Sequence, residues 1–240
     1  MIAMNLMWAA AGAVVGLLAG AAFRATVFRF SAAADDQAPG KCERCGAPAS
    51  RRLAIRCGQC RASLGIPLVL ELATAAVLTL LLGRFGGQAD VVAFGFFGAL
   101  GVALAAIDIA VQRLPDRLTL PAYPILIAML AMAALISDDA AALGRALLGA
   151  LALSGSFLIL AMVRPGQLGG GDIKLAGLTG LVLGWLGWPA LIIGATMAFV
   201  FSAIVGLALL AARRVTLRSA MSFGPFLVAG TILAALMSAR

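Results

Sequence analysis

Between Leu175 and Ala212 the chain reads LAGLTGLVLGWLGWPALIIGATMAFVFSAIVGLALLAA, 38 residues without one ionisable side chain. About 20 apolar residues in a helix cross the hydrocarbon core of a bilayer, so this stretch is too long for a single crossing. It carries its own break. Gly184-Trp185-Leu186-Gly187-Trp188-Pro189 places glycines and a proline where one helix must stop and the next begin, with tryptophans suited to the membrane–water interface.

The same pattern extends outward. Residues 3–23, 66–83, 91–107, 118–136 and 146–163 each carry at most one ionisable group, and a last apolar segment covers about 220–239. The whole chain is 63% hydrophobic and 12% charged, with a mean hydropathy of +1.07. Soluble domains are about half apolar and about a quarter charged. An all-α polytopic membrane protein of about eight transmembrane helices is therefore expected. The first apolar run has no positive residue before it and no clear cleavage site, and Arg24 and Arg29 follow it. It reads as a retained helix with its N-terminus outside.

A net charge of +8 raises the question of nucleic acid. The placement of the charge answers it. With the N-terminus outside, the inner loops hold 15 of the 18 basic residues, leaving Arg84, Arg145 and Arg240 outside. Cytoplasmic loops of membrane proteins carry this excess, so topology accounts for the basic balance and no nucleic-acid partner is expected. The absence of histidine excludes Ser-His-Asp and Cys-His nucleophiles and H-E-x-x-H zinc sites. Lys41 and Lys174 are the only lysines, which leaves a Ser-Lys pair almost no candidates. A hydrolase built on this sequence must move protons with carboxylates.

All four cysteines fall in one polar segment, as Cys42-Glu-Arg-Cys45 and, eleven residues on, Cys57-Gly-Gln-Cys60. Two C-x-x-C pairs on short turns place four thiolates around one zinc, and Gly46 and Gly58 supply the tight backbone. Nearby arginines favour the thiolate form. Two disulfides are the competing reading, which a cytoplasmic loop disfavours. Four protein ligands close the site to water, so the zinc is structural, ordering a loop with too little apolar surface to fold alone.

Carboxylates at membrane depth are costly and tend to be functional. Asp35, Asp36 and Glu43 lie in the polar loop, and Asp90, Asp138 and Asp139 in outer turns. Four remain. Asp108 sits just past the end of an apolar run, where an ion pair with Arg113 or Arg117 is the structural alternative. Asp116 follows Pro115 and precedes Arg117-Leu118-Thr119-Leu120, and capping a helix start is its leading reading. Glu71 lies one turn into a helix starting near Pro67, positioned to bond a neighbouring helix or the cysteine loop. Asp172 lies in Gly169-Gly170-Gly171-Asp172-Ile173-Lys174. Three glycines oppose helix formation, and irregular backbone at membrane depth lines a cavity or is buried in protein. The carboxylate would then stand at the positive N-terminal end of the next helix. A phosphate-binding G-x-x-x-x-G-K-[ST] spacing is absent. Two aspartates about 3 Å apart share a proton. The ionised member activates a water and the protonated member polarises the scissile carbonyl.

Taken in order, these pieces resemble the bacterial type IV prepilin peptidases, a group of G-x-G-D membrane aspartyl proteases. The resemblance rests on the cysteine pairs, Glu71-Leu72-Ala73-Thr74-Ala75, Asp108 through Leu114-Pro115-Asp116 and Gly169-Gly170-Gly171-Asp172-Ile173-Lys174-Leu175. It continues with Leu183-Gly184-Trp185 and Ser222-Phe223-Gly224-Pro225-Phe226-Leu227. It implies that Asp108 and Asp172 are the catalytic pair, with Asp116, Gly169, Gly170, Gly171, Lys174 and Glu71 supporting them. It also implies a bacterial inner-membrane enzyme that cleaves prepilins or pseudopilins at the cytoplasmic face, after a glycine that ends a basic leader. Asp116, Asp35, Asp36 and Glu43 would form an acidic mouth for that leader. Many members then methylate the new amine with S-adenosylmethionine. Gly20-Ala21-Ala22-Phe23-Arg24-Ala25-Thr26-Val27 lacks the asparagine usual in the family's first helix, and the gap between cysteine pairs is short. Both departures fall in the third of the chain associated with methylation and leave that activity open.

The organisation expected is a first transmembrane helix (1–30), a cytoplasmic four-cysteine zinc loop (31–65) and a transmembrane peptidase core (66–240). A proton-coupled transporter using Asp108 and Asp172 as a relay is the reading from another class. Such proteins more often show internal repeats, and none is seen here.

Overall fold

The computed structural model describes residues 2–32, 68–163, 169–214 and 222–238. These residues form eight α-helices and no strand: α1 (Ile2–Ala32), α2 (Val69–Phe85), α3 (Val91–Val111), α4 (Asp116–Ser137), α5 (Ala140–Val163), α6 (Gly170–Leu186), α7 (Trp188–Ala211) and α8 (Gly224–Met237). Five of them, α1, α3, α4, α5 and α7, are long and apolar enough to cross a membrane, whereas α2 and α6 have 17 residues each and α8 has 14. The segment holding the four cysteines lies outside the described residues.

Helix α6 is the axis of the bundle. Every residue from Leu175 to Trp185 is buried, and α3, α4, α5, α7 and α8 all pack against it. A helix apolar on all sides belongs inside protein, which is why the uncharged run that starts at Leu175 has no polar face. The outer helices keep large apolar side chains on the surface, among them Leu6, Leu18, Leu151, Met162, Ile192 and Leu207, as lipid contact requires.

Small residues set the closest helix pairs. On α1, Gly12 and Gly20 face α2 so tightly that an added Cβ would stand 2.5 Å from Leu78 O and 2.6 Å from Glu71 Cα. A Cβ on Gly149 of α5 would stand 2.6 Å from Gly180 O of α6. Lipid gives helices no hydrophobic reason to associate, so backbone-to-backbone packing through small residues carries the contact.

Buried polar pairs tie the bundle at both ends. At one end the Trp185 indole N–H donates to Asp90 Oδ2 at 2.7 Å, and Arg84 donates to Ser238 O at 2.5 Å. At the other, Arg24 of α1 pairs with Glu71 of α2, and Glu71 is 3% exposed.

Several expectations need correction. Trp185 is a core residue at 1% exposure rather than an interfacial one, because Asp90 satisfies its N–H inside the bundle; Trp188, 45% exposed, has the open position. Asp90 is likewise buried at the start of α3. Helix α3 continues to Val111, so Asp108 lies within its last turn; Gln112, at φ 52°, ends the helix by donating its N–H to Asp108 O. Gly170 and Gly171 are helical rather than irregular. Glycine is tolerated best in a first turn, where amides lack intrahelical partners, and a Cβ on Gly171 would stand 2.8 Å from Leu114 Cβ. Helix α5 starts at Ala140, six residues before the apolar run at 146, because Asp139 Oδ1 accepts from Ala142 N at 2.9 Å.

Two substitutions test this packing. Gly149→Ala is expected to lower stability in detergent by about 1–3 kcal/mol, read as a fall in thermal midpoint. Gly155→Ala, with nothing within 4 Å of its Cβ position, should stay within about 0.5 kcal/mol of wild type. Equal midpoints for the two would show that α5 and α6 are not in backbone contact. Glu71→Ala leaves the partly buried Arg24 without its partner and should cost about 3 kcal/mol, whereas the double change Arg24→Met with Glu71→Leu should recover most of that loss.

Candidate active site

Asp108 reaches its position on a rigid apolar platform. Ala103, Leu104 and Ile107 just before it are fully buried, so the last turn of α3 is fixed in the bundle and its carboxylate, 4% exposed, points into protein. Oδ2 accepts a hydrogen bond from the Gly224 N–H at 3.0 Å. That amide opens α8, a positive helix end facing a negative side chain.

Asp172 arrives from the opposite direction of chain travel, in the first turn of α6 and half-buried. Its own N–H donates to Gly169 O at 3.0 Å. The two carboxylates, 64 positions apart in sequence (172 − 108), come to the same end of the bundle, where Gly171 packs on Leu114 and Gly224 lies between Asp108 and Leu175. The first two of the three glycines before Asp172 leave its approach bare. Gly169 and Gly170 are exposed, and nothing lies within 4 Å of a Cβ position on Gly170.

Helix α4 holds the α6 turn from the side. Lys174 Nζ meets Asp116 Oδ1 at 2.5 Å, and Tyr123 Oη donates to Lys174 O at 2.6 Å. One residue is thus gripped through both its side chain and its backbone. The expectation that Asp116 caps α4 is not met. Pro115 occupies the cap position and offers its carbonyl to the amides of Leu118 and Thr119 at 3.0 and 3.2 Å. Asp116 is the first helical residue and pairs with Lys174 at the surface. Asp35, Asp36, Glu43 and the four cysteines lie outside the described residues. Among the described residues, Glu71 pairs with Arg24 rather than with either aspartate, and no cluster of three or more potential metal ligands occurs.

Two contributors were given no role from sequence, although Gly224 lies in the quoted run 222–227. Tyr123 is the only tyrosine in the chain and stands in an otherwise apolar helix, a signal that could have marked it. Gly224 could not have been found by chemistry, because it acts through its backbone.

The Type IV leader peptidase family matches residues 95–212, a span from α3 to the end of α7 that includes both aspartates. A prepilin leader peptidase/N-methyltransferase of Burkholderia pseudomallei (strain K96243) is 37% identical over 179 residues, covering 73% of this chain and 56% of that protein. The Bacillus subtilis (strain 168) protein of the same name is 32% identical over 199 residues, 81% of this chain and 70% of its own length. The Pseudomonas aeruginosa relative, also of that name, is 33% identical over 183 residues, covering 74% of this chain and 61% of that protein. The chain therefore spans little more than half the length of the Burkholderia relative. No solved structure gives a significant match. Identity at this level, sustained over most of both chains in the Bacillus pair, means that the chain belongs to the type IV leader peptidase family.

Proposed function

We propose that this chain is a membrane aspartic endopeptidase that removes the basic leader of type IV prepilins or pseudopilins, cutting after a glycine. The observation that carries the reading is the placement of Asp108, in the last turn of α3, and Asp172, in the first turn of α6, at one end of the bundle beside the exposed Gly169 and Gly170. An ionised carboxylate takes a proton from water as its oxygen attacks the scissile carbonyl. The protonated partner donates to the carbonyl oxygen and, as the tetrahedral intermediate collapses, a proton passes to the leaving amine. Closely spaced carboxylates supply both forms at once because they cannot both ionise easily. Gly169 and Gly170 leave room for an extended substrate backbone next to Asp172, while Gly171 packs on Leu114.

The proposed orientation follows from charge. Arg24, Arg113, Arg117, Lys174, Arg213 and Arg214 belong to the helix ends that include the aspartate pair, while Arg84 and Arg145 belong to the opposite ends. A basic excess marks the cytoplasmic side, which puts the pair at the cytoplasmic face of the bacterial inner membrane and the N-terminus outside. Membership of this family does not favour a transporter.

The donor set Cys42, Cys45, Cys57 and Cys60 suits a structural zinc, which would fold the loop and take no part in the proton transfers. Metal analysis of the purified chain should find about one zinc per chain, and Cys42→Ser with Cys45→Ser should remove it. Full zinc content in that double variant would end the assignment. Methylation of the new amine with S-adenosylmethionine is the second activity in the relatives' names, and we extend the proposal to it as the part that a product mass must decide.

The decisive assay is cleavage of a prepilin-type leader peptide by the full chain in detergent. Asp108→Asn and Asp172→Asn should each lower kcat by about a hundredfold to ten-thousandfold while the protein stays folded. Either variant cutting at the wild-type rate would sink the mechanism.

A further inference from the structure

The segment Ser222-Phe223-Gly224-Pro225 has no part in the chemistry so far, yet it forms one wall of the aspartate pair. Of the first amides of α8, Phe226 N and Leu227 N both turn back to Phe223 O at 3.1 Å, and Pro225 has none. Gly224 alone sends its N–H outward, to Asp108 Oδ2 at 3.0 Å. A Cβ at Gly224 would stand 2.6 Å from that same oxygen and 3.4 Å from Leu175 Cδ2 of α6. The site therefore demands both a backbone donor and the absence of a side chain.

The donor is held firmly. Phe223, the residue before it, packs its ring against Phe199 at 5.0 Å and Phe157 at 5.6 Å. That aromatic group pins the start of α8 to α7 and α5. Asp108, for its part, sits at the C-terminal end of α3, where its own helix dipole repels a carboxylate. The start of α8 supplies the opposite polarity from outside.

Resting on the peptidase reading above, the geometry points to Gly224 as the positioning residue of Asp108: its N–H fixes Oδ2 and leaves Oδ1 to exchange a proton with the water and with Asp172. A carboxylate rotating about its Cβ–Cγ bond would offer either oxygen at any angle. One committed oxygen defines the plane of the group and so the line along which the water must approach.

The test uses the full chain in detergent and measures kcat and KM for cleavage of a leader peptide. Four proteins are compared: wild type, Gly224→Ala, a chain carrying glycolic acid at position 224, and Asp108→Asn. Glycolic acid replaces the N–H by an ester oxygen and adds no atom where the Cβ would clash. Both changes at 224 should lower kcat about tenfold to a hundredfold, the range for a lost hydrogen bond to a charged group, with KM held within about twofold. The thermal midpoint of the ester protein should remain near that of wild type. A wild-type kcat in the ester protein overturns the proposal, even if Gly224→Ala is slow or fails to fold, because the glycine would then act only by being small. A rise in KM that accounts for the whole effect overturns it as well. Full activity in Asp108→Asn removes the peptidase reading itself, whereas an inactive Asp108→Asn beside a full-speed ester protein removes only the role of Gly224.

Discussion

A carboxylate among apolar helices must be met by a donor or a cation from elsewhere in the protein, because hydrocarbon offers it none. This requirement organises the bundle. Glu71 meets Arg24 and joins α2 to α1. Asp90 accepts from Trp185 and joins the start of α3 to the end of α6. Asp108 accepts from Gly224 and joins α3 to α8, while Asp116 meets Lys174 and joins α4 to α6. Asp172 differs in kind, since its charged neighbour is a second carboxylate. A fold that meets the buried Glu71, Asp90 and Asp108 with a donor or a cation and then brings Asp172 to the same end as Asp108 has gathered like charge at one place, as functional sites do.

The helices around that place divide the work. Helices α3 and α6 present the two carboxylates from their ends, each anchored by the close-packed stretch of its own helix, residues 103–107 and 175–185. Helix α4 steadies the first turn of α6 through Asp116 and Tyr123. Helix α8 approaches from a third side, pinned by Phe223. The α1–α2 pair, joined by glycines and the Arg24–Glu71 contact, also packs on α3.

How much of this could be read from the sequence depended on whether the signal was local. Apolar runs near bilayer length gave eight helices, and Gly187-Trp188-Pro189 marked the boundary between α6 and α7. Asp108 and Asp172 stood out because charge is rare in such surroundings. The fold brings both to one end of the bundle, on the last turn of α3 and the first turn of α6. Asp116 was misread because its partner, Lys174, is 58 residues away, and local pattern favoured a cap. Trp185 was misread for the same reason, its partner being Asp90, 95 residues distant. Gly170 and Gly171 were judged by intrinsic propensity, which a first turn packed on Leu114 overrides. Gly224 acts through an amide that every residue but proline possesses, so side-chain chemistry could not single it out.

The 14 residues of α8 have a further consequence. At 1.5 Å per residue the helix is about 21 Å long, against about 30 Å for the hydrocarbon core. Its far end is placed by the Arg84–Ser238 contact at one edge of the bundle, so its near end, with Gly224 and Asp108, stops well short of the other edge. In the proposed orientation and a bilayer of that thickness, Asp108 would lie below headgroup level. Mismatch of this kind is relieved where lipid thins beside a short helix. On the proposed reading the bilayer itself would become part of the site, because its local thickness would set how far water and a substrate backbone descend to reach the aspartates.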